Sequence, residues 1–163
     1  SNTLWVSCTE GVLKYSDNGK CVLFNKKNGL VDNSIWKIFQ DKETNMWFAS
    51  DQNGVSKLAN ERFFINTTND GLIHDDIRVV YQAKDGSLWI GTTKGLSINK
   101  NGVYTNYDVI DFGGNHNIWS INEDGKGNFY SSRYNVASNI NWVRCWFWFT
   151  KNSRRIKSIN CNQ

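Results

Sequence analysis

An apolar-tryptophan pair recurs along this chain at a nearly constant interval. Leu4-Trp5 returns as Met46-Trp47 and as Leu88-Trp89, two steps of 42 residues, and a weakened copy, Phe129-Tyr130, follows 41 residues later. A glycine-apolar start comes after each of the three strong copies: Gly11-Val12, Gly54-Val55 and Gly95-Leu96. Upstream lie the runs Ile35-Trp36-Lys37-Ile38-Phe39, Ile77-Arg78-Val79-Val80-Tyr81 and Ile118-Trp119-Ser120-Ile121, and Asn28-Gly29-Leu30 and Asp70-Gly71-Leu72 sit between units. A period of this length is the signature of stacked supersecondary units that cannot bury their apolar faces alone.

Each unit reads as four short strands separated by polar turns. The clearest copy predicts strands over 77–82, 87–92, 95–99 and 103–107, joined by Lys84-Asp85-Gly86 and Thr93-Lys94. Asp85-Gly86 suits a tight turn, because Asp bonds its own backbone and Gly accepts positive φ. Four antiparallel strands every ~42 residues make a propeller blade. The predicted fold is therefore all-β, with about four β-propeller blades in one domain over 1–163, forming a fragment or a small, incomplete ring. The units run over about 3–33, 34–76, 77–117 and 118–163, and the first supplies three strands, 4–8, 11–15 and 21–24.

The upstream runs are apolar on both faces, as expected of strands pressed between neighbouring blades. At ~25 cal/mol per Å² of apolar surface, leaving one Trp and two aliphatic side chains in water forfeits several kcal/mol, comparable to the stability of a small domain. The tryptophans of the repeated pair are thus read first as packing residues.

The string Gln82-Ala83-Lys84-Asp85-Gly86-Ser87-Leu88-Trp89-Ile90-Gly91-Thr92-Thr93-Lys94-Gly95-Leu96 closely resembles the two-component regulator propeller repeat. That pattern runs acidic-x-Asp-Gly-Asn-Leu-Trp-Ile-Gly-Thr-x-x-Gly-Leu. Looser copies are Asp41-Lys42-Glu43-Thr44-Asn45-Met46-Trp47-Phe48-Ala49-Ser50, without the turn glycine, and Glu123-Asp124-Gly125-Lys126-Gly127-Asn128-Phe129-Tyr130, without Trp-Ile-Gly-Thr. The resemblance covers about residues 3–130. It implies a sensory module of the kind that, in that family, precedes a membrane segment and a histidine kinase on the periplasmic or extracellular side of the inner membrane, often sensing polysaccharide fragments.

Charge points away from nucleic acid. The net charge of +4 is concentrated in residues 125–163, which hold seven basic and no acidic side chains, so residues 1–124 carry 12 basic against 15 acidic groups. No apolar run approaches the ~20 residues of a membrane span. Cys8, Cys21, Cys145 and Cys161 lack zinc-site spacing. Cys8 and Cys21 fall on second-neighbour strands, roughly 9–10 Å apart and too far for a bridge. After Asn128 the repeat landmarks vanish. The segment Trp142-Val143-Arg144-Cys145-Trp146-Phe147-Trp148-Phe149 is either a diverged closing element or a replaced continuation, and it is expected to form a strand on a blade edge or on a second copy.

No catalytic constellation is visible, and no metal or cofactor is expected. His74 and His116 occupy equivalent loops before successive first strands, where the remaining unit has Asn33, which suits repeat loops better than an acid-base pair. Asp75 and Asp76 alone are a poor calcium loop. Binding is easier to defend. Loops entering the first strands converge on one end of a propeller axis, and there the chain places Asn33 and Trp36, Asp76 and Arg78, Asn117 and Trp119. Amides, a carboxylate, a guanidinium and indoles suit sugars or peptides. The competing reading buries Trp36 and Trp119 in the core. The expected function is a non-enzymatic sensor propeller for a small molecule or oligosaccharide. The alternatives are a propeller enzyme resembling streptogramin lyase or a protein-interaction scaffold, and self-association through open blade edges is expected.

Overall fold

The structure, a computed structural model, describes residues 3–108, 117–124, 128–134, 146–150 and 153–159. These residues form four antiparallel sheets in chain order, each strand pairing with the next. The first sheet holds β1 (Thr3–Cys8), β2 (Gly11–Ser16) and β3 (Cys21–Phe24). The second holds β4 (Ile35–Gln40), β5 (Met46–Ser50), β6 (Val55–Ala59) and β7 (Arg62–Asn66). The third holds β8 (Ile77–Gln82), β9 (Leu88–Thr92), β10 (Gly95–Lys100) and β11 (Val103–Asp108). The fourth holds β12 (Asn117–Glu123), β13 (Asn128–Tyr134), β14 (Trp146–Thr150) and β15 (Ser153–Ile159). The apolar tail segment therefore supplies β14, paired between β13 and β15, while residues 142–145 lie outside the described residues. Among the described residues no helix is long and apolar enough to cross a membrane.

Turn chemistry sets the hairpins. Asn60 and Glu61 both take positive φ, at 48° and 62°, between β6 and β7, and Asn101 and Gly102 do the same between β10 and β11, at 53° and 83°. Two consecutive positive values give the mirror-image turn whose twist matches the flanking strands. The glycines at the start of β2 and β10 and just before β6 have a different reason. Gly11, Gly54 and Gly95 adopt φ of 136°, 87° and 148°, and a Cβ there would drive into the backbone carbonyl of Phe24, Asn66 or Tyr107.

Three apolar clusters lie between consecutive sheets, which is where the repeated tryptophans go. Trp5, Val12 and Phe24 meet Ile35, Met46 and Phe48 of the second sheet. Trp47, Ala49 and Val55 meet Ile77, Leu88 and Ile90 of the third. Trp89 and Leu96 meet Ile118, Ile121 and Phe129 of the fourth, with the Trp89 and Phe129 rings stacked 3.7 Å apart. The linker residues Leu30 and Leu72 are buried in the first two of these clusters. Buried indole N–H groups find partners, as burial requires. Trp47 donates to Asp41 at 2.8 Å, and Trp89 donates to the Ser87 hydroxyl at 3.0 Å.

Polar clasps tie neighbouring sheets at matching positions. The Lys42 N–H donates to Gln82 at 2.7 Å, and 42 residues later the Lys84 N–H donates to Glu123 at 2.8 Å. Cys8 and Cys21 are free thiols on β1 and β3, Cys8 half-buried and Cys21 exposed, and the pairing of Cys8 with Gly11 and of Cys21 with Tyr15 sets them at opposite ends of the sheet.

Candidate ligand site on the first strands

Each first strand carries the same irregularity. The pairing of β4 with β5 slips between Ile35 and Lys37, that of β8 with β9 between Ile77 and Val79, and that of β12 with β13 between Ile118 and Ser120. The skipped residues are Trp36, Arg78 and Trp119, at spacings of 42 and 41. A bulge leaves one residue out of the ladder and re-aims its side chain. Three bulges in register therefore send three side chains to one place.

There the Arg78 guanidinium lies between two indoles, 5.5 Å from the Trp36 ring and 4.9 Å from the Trp119 ring. The indoles are not core. Trp36 is 58% exposed and Trp119 41% exposed, against 7% for Trp47 and 5% for Trp89. Arg stacks on aromatic faces because its guanidinium is planar and weakly hydrated. Its charge is met by Asp76 at 2.8 Å and, more loosely, by Asp51 at 3.7 Å. One oxygen of Asp76, Oδ1, and the Arg78 Nε are buried without a hydrogen-bond partner, one an acceptor and the other a donor. That is a demanding arrangement, because each such group forgoes its water.

The structure thus gathers Trp36, Asp76, Arg78 and Trp119. It does not bring Asn33 to them. Asn33 Oδ1 accepts the Lys26 N–H at 2.9 Å, and 42 residues later Asp75 accepts the Thr68 N–H at 2.7 Å, so both hold the linker that precedes their sheets. Asn117 begins β12 at the repeat position of Asp76 and is half-buried. Sequence reasoning did not single out Asp51, which follows β5 and reaches Arg78 across to the next sheet. An Asp just beyond a strand looks like ordinary turn chemistry, so no signal marks it.

His74 is a loop residue, its Nδ1 accepting the Asp76 N–H at 3.1 Å with the Thr93 hydroxyl 3.0 Å away. His116 lies outside the described residues. Among the described residues no three His, Cys, Asp or Glu side chains are grouped as metal ligands would be.

A separate groove of about 820 Å³ runs between the second and third sheets, past Trp47, Lys57 and Phe64. Several of its polar side chains are already engaged in holding the fold. Asp41 holds the Trp47 indole, Gln82 bonds Lys42 and Glu43, Asn66 accepts from the Tyr104 hydroxyl, and Asn99 accepts the Gly102 N–H. The stack on the first strands is the better candidate.

The two component regulator propeller family matches residues 29–52 and 71–94. These stretches hold β4–β5 and β8–β9, and with them Trp36 and Arg78. Among solved structures, the chain is similar to the extracellular domain of BT4673 from B. thetaiotaomicron, described once as a putative one component system and once as a putative hybrid two component system. The TM-scores are 0.75 and 0.74 at 18% identity, over 96% and 98% of this chain and 21% of that one. The chain thus spans about a fifth of that domain. It is also similar to selenomethionine-substituted virginiamycin B lyase from Staphylococcus aureus, with a TM-score of 0.66 at 10% identity, over 97% of this chain and 52% of that one. At these identities the likeness establishes the propeller fold. No curated protein matches the chain significantly. Repeat, fold and sheet order agree: the chain has a β-propeller fold, and two of its stretches, residues 29–52 and 71–94, match the two component regulator propeller repeat.

Proposed function

We propose that this segment is a non-enzymatic, extracytoplasmic ligand-binding module of a two-component signalling protein, and that it senses carbohydrate at the Trp36–Arg78–Trp119 stack. The observation that carries the reading is the bulge triplet, which leaves two indoles exposed where packing alone would bury them. Flat indole faces stack on the apolar faces of sugar rings, and Asp76, Arg78 and Asp51 offer charged hydrogen-bonding groups to hydroxyls.

The test is a tryptophan-fluorescence titration of the chain with neutral and acidic oligosaccharides. Trp36→Ala and Trp119→Ala should each weaken binding about tenfold, roughly 1.4 kcal/mol. Absence of saturable binding across the panel, or binding indifferent to both substitutions, refutes the proposal. The fold likeness to virginiamycin B lyase supports a second reading, an enzyme. Turnover of virginiamycin B in the presence of magnesium or calcium would establish that reading, and the sensor proposal expects none.

A further inference from the structure

The Arg78 guanidinium has little left to give a ligand. Its Nη2 is 2.8 Å from Asp76, its Nη1 faces Asp51 at 3.7 Å, and its Nε is buried. The side chain is 15% exposed and sits against the Trp36 and Trp119 rings. Arginine recognises a carboxylate or phosphate by presenting two parallel N–H groups, and here both terminal nitrogens already face a carboxylate. The cluster also carries an excess of negative charge. Two carboxylates face one guanidinium, and among the described residues no second basic side chain pairs with Asp51 or Asp76. Asp51 is the more open of the two, with 34% of its side chain exposed against 15% for Asp76, so it is the charge that an incoming ligand meets first.

We propose that the stack discriminates by charge: it takes neutral and amine-bearing sugars and disfavours those carrying a carboxylate, with Asp51 and Asp76 setting the choice. The inference rests on the carbohydrate reading and narrows it. A sugar carboxylate entering beside the indoles meets like charge, and the cation that could offset it is already paired. Hydroxyls meet no such penalty, because a carboxylate accepts hydrogen bonds from them. An ammonium donates to the same oxygens and is attracted by their charge as well. The indoles serve all three classes alike, since stacking on the apolar face of a sugar ring does not depend on the group at C6. Stacking therefore supplies affinity, and the two carboxylates supply selection.

The test extends the fluorescence titration. Each neutral oligosaccharide that binds is compared with two counterparts, one bearing a carboxylate at C6 and one an amine there. At low ionic strength the carboxylate should bind at least about fivefold more weakly than its neutral parent, roughly 1 kcal/mol, and the amine at least as tightly as the parent. Raising the salt to about 0.5 M should narrow the gap between carboxylate and parent, because partly exposed charges are screened. Asp51→Asn should narrow it too, whatever it does to each Kd. Glu43→Gln removes the same charge from the turn between β4 and β5, at the opposite end of those strands, and should leave the ratio as it was. If no sugar binds, the carbohydrate reading falls and takes this proposal with it. Four results overturn the charge selection alone and leave the carbohydrate reading standing: a carboxylate bound as tightly as its neutral parent, binding confined to acidic sugars, an amine bound more weakly than the carboxylate, or a ratio unmoved by both salt and Asp51→Asn.

Discussion

Gly91→Ala probes the contact between the third and fourth sheets at a single methyl. A Cβ at Gly91 would come 2.6 Å from Val79 Cγ1, 2.7 Å from Ile118 Cγ2 and 2.9 Å from the Ile118 carbonyl oxygen, all closer than packed atoms stand. Gly91 is not in the left-handed region, so the cost is steric rather than conformational. Overpacking of this kind costs about 1–3 kcal/mol. Against it, alanine narrows the unfolded ensemble and returns about 0.4–1 kcal/mol. The net expectation is a loss of about 1–2 kcal/mol, or roughly 2–8 °C in Tm for a chain of this size. The assay is thermal and urea unfolding followed by tryptophan fluorescence and circular dichroism. A double-mutant cycle with Val79→Ala should recover part of the loss and no more, because the Ile118 carbonyl stays where it is. A Gly91→Ala protein as stable as the parent would show that the sheets do not press together there, and the reasoning would fall.

Two further outcomes follow from the same packing. Trp89→Ala should cost about 3–5 kcal/mol, while Trp36→Ala and Trp119→Ala should each cost under about 1 kcal/mol, because one indole fills an inter-sheet cluster and the others stand in solvent; melting curves of the three variants decide it. The Ser87 hydroxyl, donating to Asp85 at 2.6 Å, holds that carboxyl below the usual carboxylate range. A depressed folded value means that its stabilisation is complete above the unfolded value near ~3.9 and is lost as pH falls through the folded one. Tm measured from pH 7 down to about pH 2 should therefore drop more steeply below pH ~4 in the parent than in Ser87→Ala, whose curve lies lower but flatter.

How much of this was legible depends on which interaction set each feature. The expected strands over 77–82, 87–92, 95–99 and 103–107 match Ile77–Gln82, Leu88–Thr92, Gly95–Lys100 and Val103–Asp108, because alternation and turn chemistry are local. The three strands of the first sheet were readable for the same reason. For Trp36 the sequence left two positions open, a binding-site residue or a core residue. Its run, Ile35-Trp36-Lys37-Ile38-Phe39, looks like a doubly buried strand, and the bulge that turns the indole outward is a property of how two strands pair. The role of Asn33 in holding its linker was hidden for a related reason. Its loop was correctly seen as a repeat feature, but the residue it serves, Lys26, lies seven positions back in the linker rather than across the axis.

The bulge position also shows how one scaffold can vary its site without disturbing its core, and one substitution pair tests this. Counting back two residues from each bulge gives Ser34 before Trp36, Asp76 before Arg78 and Asn117 before Trp119. The carboxylate accompanies the guanidinium and is replaced by a neutral group where the bulge holds an indole. If charge pairing accounts for this, Arg78→Trp alone should be poorly tolerated. It leaves Asp76, whose side chain is 15% exposed, without the cation it faces. Stranding a buried partner costs 3–5 kcal/mol, discounted here for partial solvent access to about 2–4 kcal/mol. Adding Asp76→Ser, which recreates the Ser-x-Trp arrangement of the second sheet, should restore most of that loss. Denaturant titrations of both variants measure it. Equal stability of the single and double variants would mean that Asp76 does not depend on Arg78, and that the pairing of carboxylate with guanidinium along the repeats is incidental.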